Sequence, residues 1–310
     1  MFTMCWYTGA LVRRCACQGD LIWPIVSLIM ESILTRVKAH KAPALVLVLA
    51  ATSLINSGCA TAQEAASLIP FVPKPYLGQK AWPDASQILP KPPETGSQRE
   101  AQDQALFKAS RALEGSARWK LAQNDVPTAP SAMLANFRCA TGLDLTPQSA
   151  PKLTALISRV GMDSGFQVST VKDVYKRKRP YLITDGAICV ARSLGLDSSP
   201  DYPSGHSTWG WSIGLILAEL LPDRATSILA RARAYGESRA VCGVHSASAV
   251  EAGRTNGAVL IAALHASAEF RSDMDAAKAE LKSLQERSKP NLDSCDSEAA
   301  LIAQPLYSGF

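Results

Sequence analysis

Histidine is scarce in this chain, four in 310 residues, and charged residues fill only 19% of positions. Long apolar runs are missing: none reaches the roughly 18 residues that a membrane span needs, which argues against a polytopic membrane protein. Neither sign of charge dominates. Lys and Arg number 32 against 27 Asp and Glu, a net +5, too even a balance for a binder of nucleic-acid polymers. Long period-two alternation between turn signals is absent, and with it the pattern of a sheet protein. No repeat or low-complexity array interrupts the chain. Apolar residues are plentiful, at 47%, which rules out disorder as the main state and suits a sizeable core.

The positive charge is unevenly placed. Arg36, Lys38 and Lys41 precede the 14-residue apolar run Ala42 to Ile55, and Ala60-Thr61-Ala62 supplies small residues where a signal peptidase reads. Residues 30–62 therefore read as a signal peptide, and the expected destination is the periplasm. Ser57-Gly58-Cys59 resembles the end of a lipobox, but Asn56 stands where an aliphatic residue belongs, so anchoring at Cys59 ranks second. Residues 1–29 read as a mis-assigned start or an extension, with Met30 the expected first residue. Beyond residue 62 the net charge falls to +2, and Cys139, Cys189, Cys242 and Cys295 remain. Four cysteines in an exported chain allow two disulfides in three connectivities, and Cys242 also suits a buried free thiol.

Residues 63–98 are proline-rich and are expected to lie extended over a domain surface. The rest reads as all-α, a single helical domain over 99–290 with a tail at 291–310. Helical spacing marks Ala101–Asn124, Ser131–Phe137, Leu153–Gly161, Val168–Lys178, Ser207–Leu221, Arg224–Arg239, Ala247–Phe270 and Asp273–Ser288.

Three segments carry chemistry. In Lys172-x6-Arg179-Pro180 the cations are seven apart, on about one helix face, with the helix ending near Arg179. Lys176, Arg177 and Lys178 read as an ordinary solvated face. Tyr202-Pro203-Ser204-Gly205-His206 is a turn leading into an apolar helix, whose N-terminal N–H groups form a ready anion site. There Ser204 adds a hydroxyl, Gly205 allows close approach, and His206 titrates near neutrality. In Ser238-Arg239-x5-His245 the two side chains would fall on different faces of a continuous helix, so Gly243 is expected to break it and aim both at one pocket. Of the three histidines beyond residue 62, two lie in these segments; His265 reads as structural.

Taken in order, the three segments resemble the signature of the phosphatidic acid phosphatase type 2 superfamily, which includes vanadium-dependent haloperoxidases. Within it the chain is similar to bacterial class A non-specific acid phosphatases. The similarity extends through Leu89-Pro90-Lys91-Pro92-Pro93, the helix over Ala109 to Ala122, and Val250-Glu251-Ala252-Gly253-Arg254, covering most of 80–285. The resemblance implies a helical fold and hydrolysis of phosphomonoesters, with broad specificity and with no metal or cofactor. It matches Lys172, Arg179 and Arg239 to the phosphate-holding cations, Ser204 and Gly205 to further phosphate donors, His245 to the nucleophile and His206 to the general acid. No nucleic-acid partner and no membrane span of the mature chain are expected, and a homo-oligomer is left open.

One position departs from the pattern. The family places an aspartate four residues after the nucleophile, where this chain has Ala249. That carboxylate would orient the histidine and stabilise its cationic form, so Ser246, Ser248, a backbone carbonyl or water must do so instead, and turnover is expected to be slow. Glu251 is a poor substitute, because the family carries an acidic residue there in addition. The departure gives weight to a weakened phosphate-binding protein as an alternative, and a vanadate-dependent haloperoxidase would use the same residues.

Overall fold

A computed structural model describes residues 73–78, 81–287, 295–303 and 306. The chain divides into two units, Met1–Phe71 and Val72–Phe310. Every described residue belongs to the second. The signal peptide, the extension before it and Cys59 lie outside the described residues.

Among the described residues the structure consists of helices, 3-10 turns and loops, with no strand. In chain order the helices are α1 (Ala85–Ile88), α2 (Gln98–Ser110), α3 (Ala117–Asn124), α4 (Pro130–Asn136), α5 (Arg138–Thr141), α6 (Pro151–Tyr175), α7 (Leu194–Ser198), α8 (Gly205–Leu220), α9 (Ala225–Val241), α10 (Ala247–Leu264), α11 (Ala268–Arg287) and α12 (Cys295–Ala303). No helix among them is long and apolar enough to cross a membrane.

Helix α8 is the centre of the fold. Its sequence is apolar nearly all round, as a helix buried on all sides requires, and α6, α9 and α10 pack against it. Glycine makes that packing close. A Cβ on Gly210 would lie 2.2 Å from the Tyr235 ring, and one on Gly214 would lie 2.4 Å from the Ala232 Cβ, both on α9. On the other side, a Cβ on Gly253 or Gly257 of α10 would meet the carbonyls of Ser204 and Thr208 at 2.6 and 2.8 Å. Ile157, Ile213, Leu217, Ile228, Leu260 and Phe270 are fully buried in the surrounding core. Burial of each such side chain stabilises the fold by about 1.5–3 kcal/mol.

Several expected boundaries shift. Ala101–Asn124 is not one helix: α2 ends at Ser110, Gly115 takes a left-handed φ of 76°, and the Ser116 hydroxyl caps α3 by accepting from the Trp119 N–H. A glycine stop followed by a serine cap is a local signal stronger than the apolar spacing around it. Leu153–Gly161 and Val168–Lys178 fuse into the 25-residue α6. Gly161 does not break that helix; it makes room for the Trp209 ring, 3.2 Å from where its Cβ would be. Ala247–Phe270 divides at Leu264, with α11 beginning at Ala268.

The described part of the proline-rich segment is bound to α6 and α11 through two carboxylates, the Tyr76 hydroxyl donating to Asp273 at 2.6 Å. Asp163 accepts from the Tyr76 and Leu77 N–H groups and from Trp82 Nε1 at 2.8–3.0 Å. Among the described residues the disulfides are Cys139–Cys295 and Cys189–Cys242. Cys242 is therefore not a free thiol: Cys189 lies beside it, its N–H donating to the Cys242 carbonyl. The segment expected as a tail contains α12, tied to α5 through Cys139.

Candidate active site

The first cation pair converges by a different route from the one its spacing suggests. Helix α6 stops at Tyr175, and Lys176 turns the chain with a φ of 46°. Arg179 then lies in extended backbone before Pro180. The two side chains meet at residues 199–200 rather than along one helix face. Lys172 Nζ donates to Ser199 Oγ at 3.3 Å and to the Pro200 carbonyl. Arg179 Nε donates to the Ser199 carbonyl at 2.7 Å, and its NH1 donates to the Val244 carbonyl at 2.7 Å. Burial, reinforced by Arg179, lowers the Lys172 pKa to about 8.

The second segment forms the N-terminus of α8. Ser204 caps it: its hydroxyl oxygen accepts from the Ser207 N–H at 3.3 Å and the Ser207 hydroxyl at 2.9 Å, keeping its own hydrogen for another acceptor. Gly205 is the first helical residue. Its backbone conformation is not left-handed, and a Cβ there would touch protein only at Val168, at an unstrained 3.5 Å. Neither packing nor φ calls for glycine at this position. His206 Nε2 lies 2.9 Å from the Val126 carbonyl. A carbonyl only accepts, so Nε2 carries a proton and Nδ1 is the basic nitrogen of the neutral ring. The neighbouring Asp125 is fixed by the buried Arg231 at 2.5 Å and by the Ser238 hydroxyl at 2.6 Å.

The third segment breaks at Gly243, which has a φ of 79°. The N–H groups of Val244 and His245 both turn back to the Arg239 carbonyl, at 3.1 and 3.2 Å. His245 thus sits in the junction between α9 and α10, and Arg239 in the last turn of α9. Arg239 is buried, and its Nε and NH1 have no hydrogen-bond partner. Burial, with Arg179 adding, lowers its pKa to about 10.

His245 joins the first and third segments. Its Nε2 lies 3.1 Å from Arg179 NH1, and its Nδ1 lies 2.7 Å from the Asp201 carbonyl and 3.0 Å from Asp201 Oδ1. The carbonyl requires the proton on Nδ1, which leaves the Nε2 lone pair facing the arginine. Burial, then Arg179, Lys172 and Arg239, hold the His245 pKa well below the ordinary histidine value. Burial and Arg239 do the same to His206.

Two residues central to this arrangement escaped the motif reading. Asp201 is one. Arg177 is the other, and the solvated face expected for it is wrong. Its NH2 donates to Asp103 Oδ2 at 2.8 Å, and its NH1 to the hydroxyls of Ser246 and Ser248 at 2.9 and 2.7 Å. Sequence shows a basic run but not which member turns inward; the left-handed Lys176 makes that choice. Glu251 is at the surface beside Arg99, and His265 pairs with Glu219 there, outside the cluster.

The PAP2 superfamily pattern matches residues 152–273, which contain all three segments. The chain is 42% identical to an acid phosphatase of Zymomonas mobilis over 200 residues, 64% of this chain and 76% of that protein. It is 33% identical to a non-specific acid phosphatase of Providencia stuartii over 211 residues, 67% of this chain and 85% of that protein. The chain belongs to the acid phosphatases of the PAP2 superfamily. A non-specific acid phosphatase of Salmonella typhimurium is similar at 28% over 210 residues, 67% of this chain and 84% of that protein. Membership makes the protein a phosphoric monoester hydrolase.

Proposed function

We propose that this acid phosphatase hydrolyses phosphomonoesters through a phosphohistidine on His245, with His206 as acid and then base, and with no metal. The observation that carries the reading is the tautomer of His245: Nδ1 faces an obligate acceptor, so Nε2 is the nucleophilic nitrogen. Lys172, Arg179 and Arg239, with the Ser204 hydroxyl and the Gly205 backbone, would hold the non-bridging oxygens. Phosphoryl transfer asks mainly for positioning and for positive charge around those oxygens.

The Nε2 lone pair attacks phosphorus and the bond to the leaving oxygen breaks, that oxygen taking a proton from His206 Nδ1. A water then gives a proton to the same nitrogen and attacks phosphorus, the N–P bond breaks, and phosphate leaves. The low pKa of His245 keeps it neutral into acid conditions. The low pKa of ligand-free His206 opposes an acid role, but its causes are burial and the field of Arg239. A substrate dianion among the cations would oppose that field and favour the proton.

Export to the periplasm fits the two disulfides, which persist in oxidising compartments. Broad specificity fits a site whose named contacts all address the phosphoryl group. The test is hydrolysis of p-nitrophenyl phosphate from pH 4 to 8 in EDTA by wild type and H245A. Activity confined to the wild type, with a denaturation-resistant phosphoenzyme after quenching in alkali, is expected. Equal rates in the two would overturn the reading.

A further inference from the structure

The family pattern leaves His245 without its usual carboxylate, because position 249 is alanine. That methyl group is fully buried beside Tyr202 and Ala252, and the Ala249 carbonyl accepts from the Ser204 N–H at 2.9 Å. Nothing polar on residue 249 can reach the imidazole. A carboxylate nevertheless lies at Nδ1, and it comes from Asp201, two residues before Pro203.

We propose that Asp201 is the positioning residue of His245, a carboxylate relocated from the start of α10 to the loop before α8. This rests on His245 being the nucleophile. The geometry of Asp201 is that of a held group rather than a passing contact. Oδ1 lies 3.0 Å from His245 Nδ1 and accepts from the Ser246 N–H at 3.1 Å. Oδ2 accepts from the Ser246 hydroxyl at 2.6 Å and faces Arg177 NH1 at 3.5 Å. Arg177 is fixed in turn by Asp103, which also accepts from the Ser248 N–H and hydroxyl at 2.8 and 2.5 Å. Asp201 is wholly buried, and its backbone N–H is bound to the Arg177 carbonyl at 2.8 Å. Burial raises its pKa, while Ser246 and Arg177 pull it back.

The backbone carbonyl of the same residue already fixes the tautomer. The side chain therefore has a separate task, which is to offset the positive charge that builds on the ring as Nε2 bonds to phosphorus. Residue 201 thus meets both requirements, one with its carbonyl and one with its carboxylate. A carboxylate introduced at 249 alongside Asp201 would add a second negative charge to a buried site in which Arg177, the cation facing Asp201, is already shared with Asp103.

The prediction is a double-mutant cycle read as kcat and KM, with thermal unfolding measured on every variant. D201N keeps the backbone carbonyl and should lower kcat by about 10–100-fold with KM little changed, the range seen when a metal-bound histidine loses its orienting partner. D201A should fall at least as far. A249D alone should lose activity, whereas D201A/A249D should recover about tenfold over D201A, because the carboxylate is restored from the family's own position. Recovery in the double variant cannot arise from a merely structural role. Wild-type kcat in D201N while H245A is inert would overturn the proposal, and so would a D201N loss matched by lower melting temperature with no recovery in the double variant. H245A as active as wild type would instead remove the nucleophile assignment, and this inference with it.

Discussion

Arg177 NH2 donates to Asp103 Oδ2 at 2.8 Å, which ties the loop after α6 to α2 across 74 positions of sequence. Both side chains are nearly buried, and their hydrogen bonds run on through Ser246 and Ser248 to the loop that carries His245. Removing one partner of such a pair leaves the other charge uncompensated, at a typical cost of about 3–5 kcal/mol. R177M is therefore expected to unfold well below the wild type in urea. D103N, which keeps an acceptor for Arg177, should lose less. Equal stability of R177M and wild type would show that the pair contributes nothing.

Arg239 should behave in the opposite way. A buried guanidinium with two unpartnered nitrogens costs free energy in the ligand-free enzyme. R239M is expected to melt at or above the wild-type temperature in phosphate-free buffer while losing activity. Inorganic phosphate should raise the wild-type melting temperature and leave that of R239M nearly unmoved, since only a ligand bound to the native state stabilises it. A destabilised R239M would mean that the side chain contributes to folding.

Gly205 offers a cleaner separation of site from scaffold. A methyl group there meets only Val168, at ordinary contact distance, in a backbone conformation that alanine adopts. G205A should preserve or slightly raise stability, by up to about 1 kcal/mol. It should nevertheless lower kcat/KM by about tenfold or more, because a methyl group stands where an oxyanion would approach the N-terminus of α8. Unchanged kcat/KM would remove this residue from the cradle.

The two buried histidines make a pH prediction with a definite sign. Their folded-state values lie below the unfolded value near 6.5. Between those limits the unfolded chain binds more protons than the native one, so stability rises with pH across the interval and is lost on acidification. Each group contributes up to about 1.4 kcal/mol per unit of pKa depression. Asp201, shifted upward, acts in the opposite sense above the ordinary carboxylate value. The ligand-free melting temperature should fall from pH 7 to pH 5, and H206Q should flatten that slope. Identical slopes in the two proteins would contradict the cause assigned to His206.

The disulfide Cys189–Cys242 closes a long loop three residues before His245. In the chain-entropy description a sequence separation of 53 corresponds to about 4 kcal/mol. C189A/C242A should lose stability of that order, and activity should fall below what the unfolded fraction explains. Activity loss that merely tracks unfolding would limit the bridge to a scaffold role.

The three segments proposed to hold the anion stood out in sequence because the chemistry read from them is local: a helix N-terminus, a glycine break and a few cations at fixed spacing. Helical periodicity likewise gave the all-α class. What escaped was whatever depends on distant partners. Asp201 and Arg177 are unremarkable in one dimension, and Val126 contributes only a carbonyl. The spacing of Lys172 and Arg179 suggested the right convergence for the wrong reason, since a left-handed residue and a loop replace the helix face. Cysteine pairing was open among three choices, and only the fold selects between them.

Glycine contacts on both flanks of α8 have a consequence for how the enzyme meets its substrates. On the α10 flank a glycine surface meets the Ser204 and Thr208 carbonyls, and on the α9 flank it meets the Tyr235 ring and the Ala232 Cβ, so the placement of Ser204 against α9 and α10 leaves little room for side chains that swap rotamers. The phosphoryl half of any substrate would enter a mould already set, with little ordering left to do on arrival. In the proposed site every assigned contact addresses the phosphoryl half and none the alcohol. A catalyst built that way would scavenge phosphate from whatever ester diffuses in.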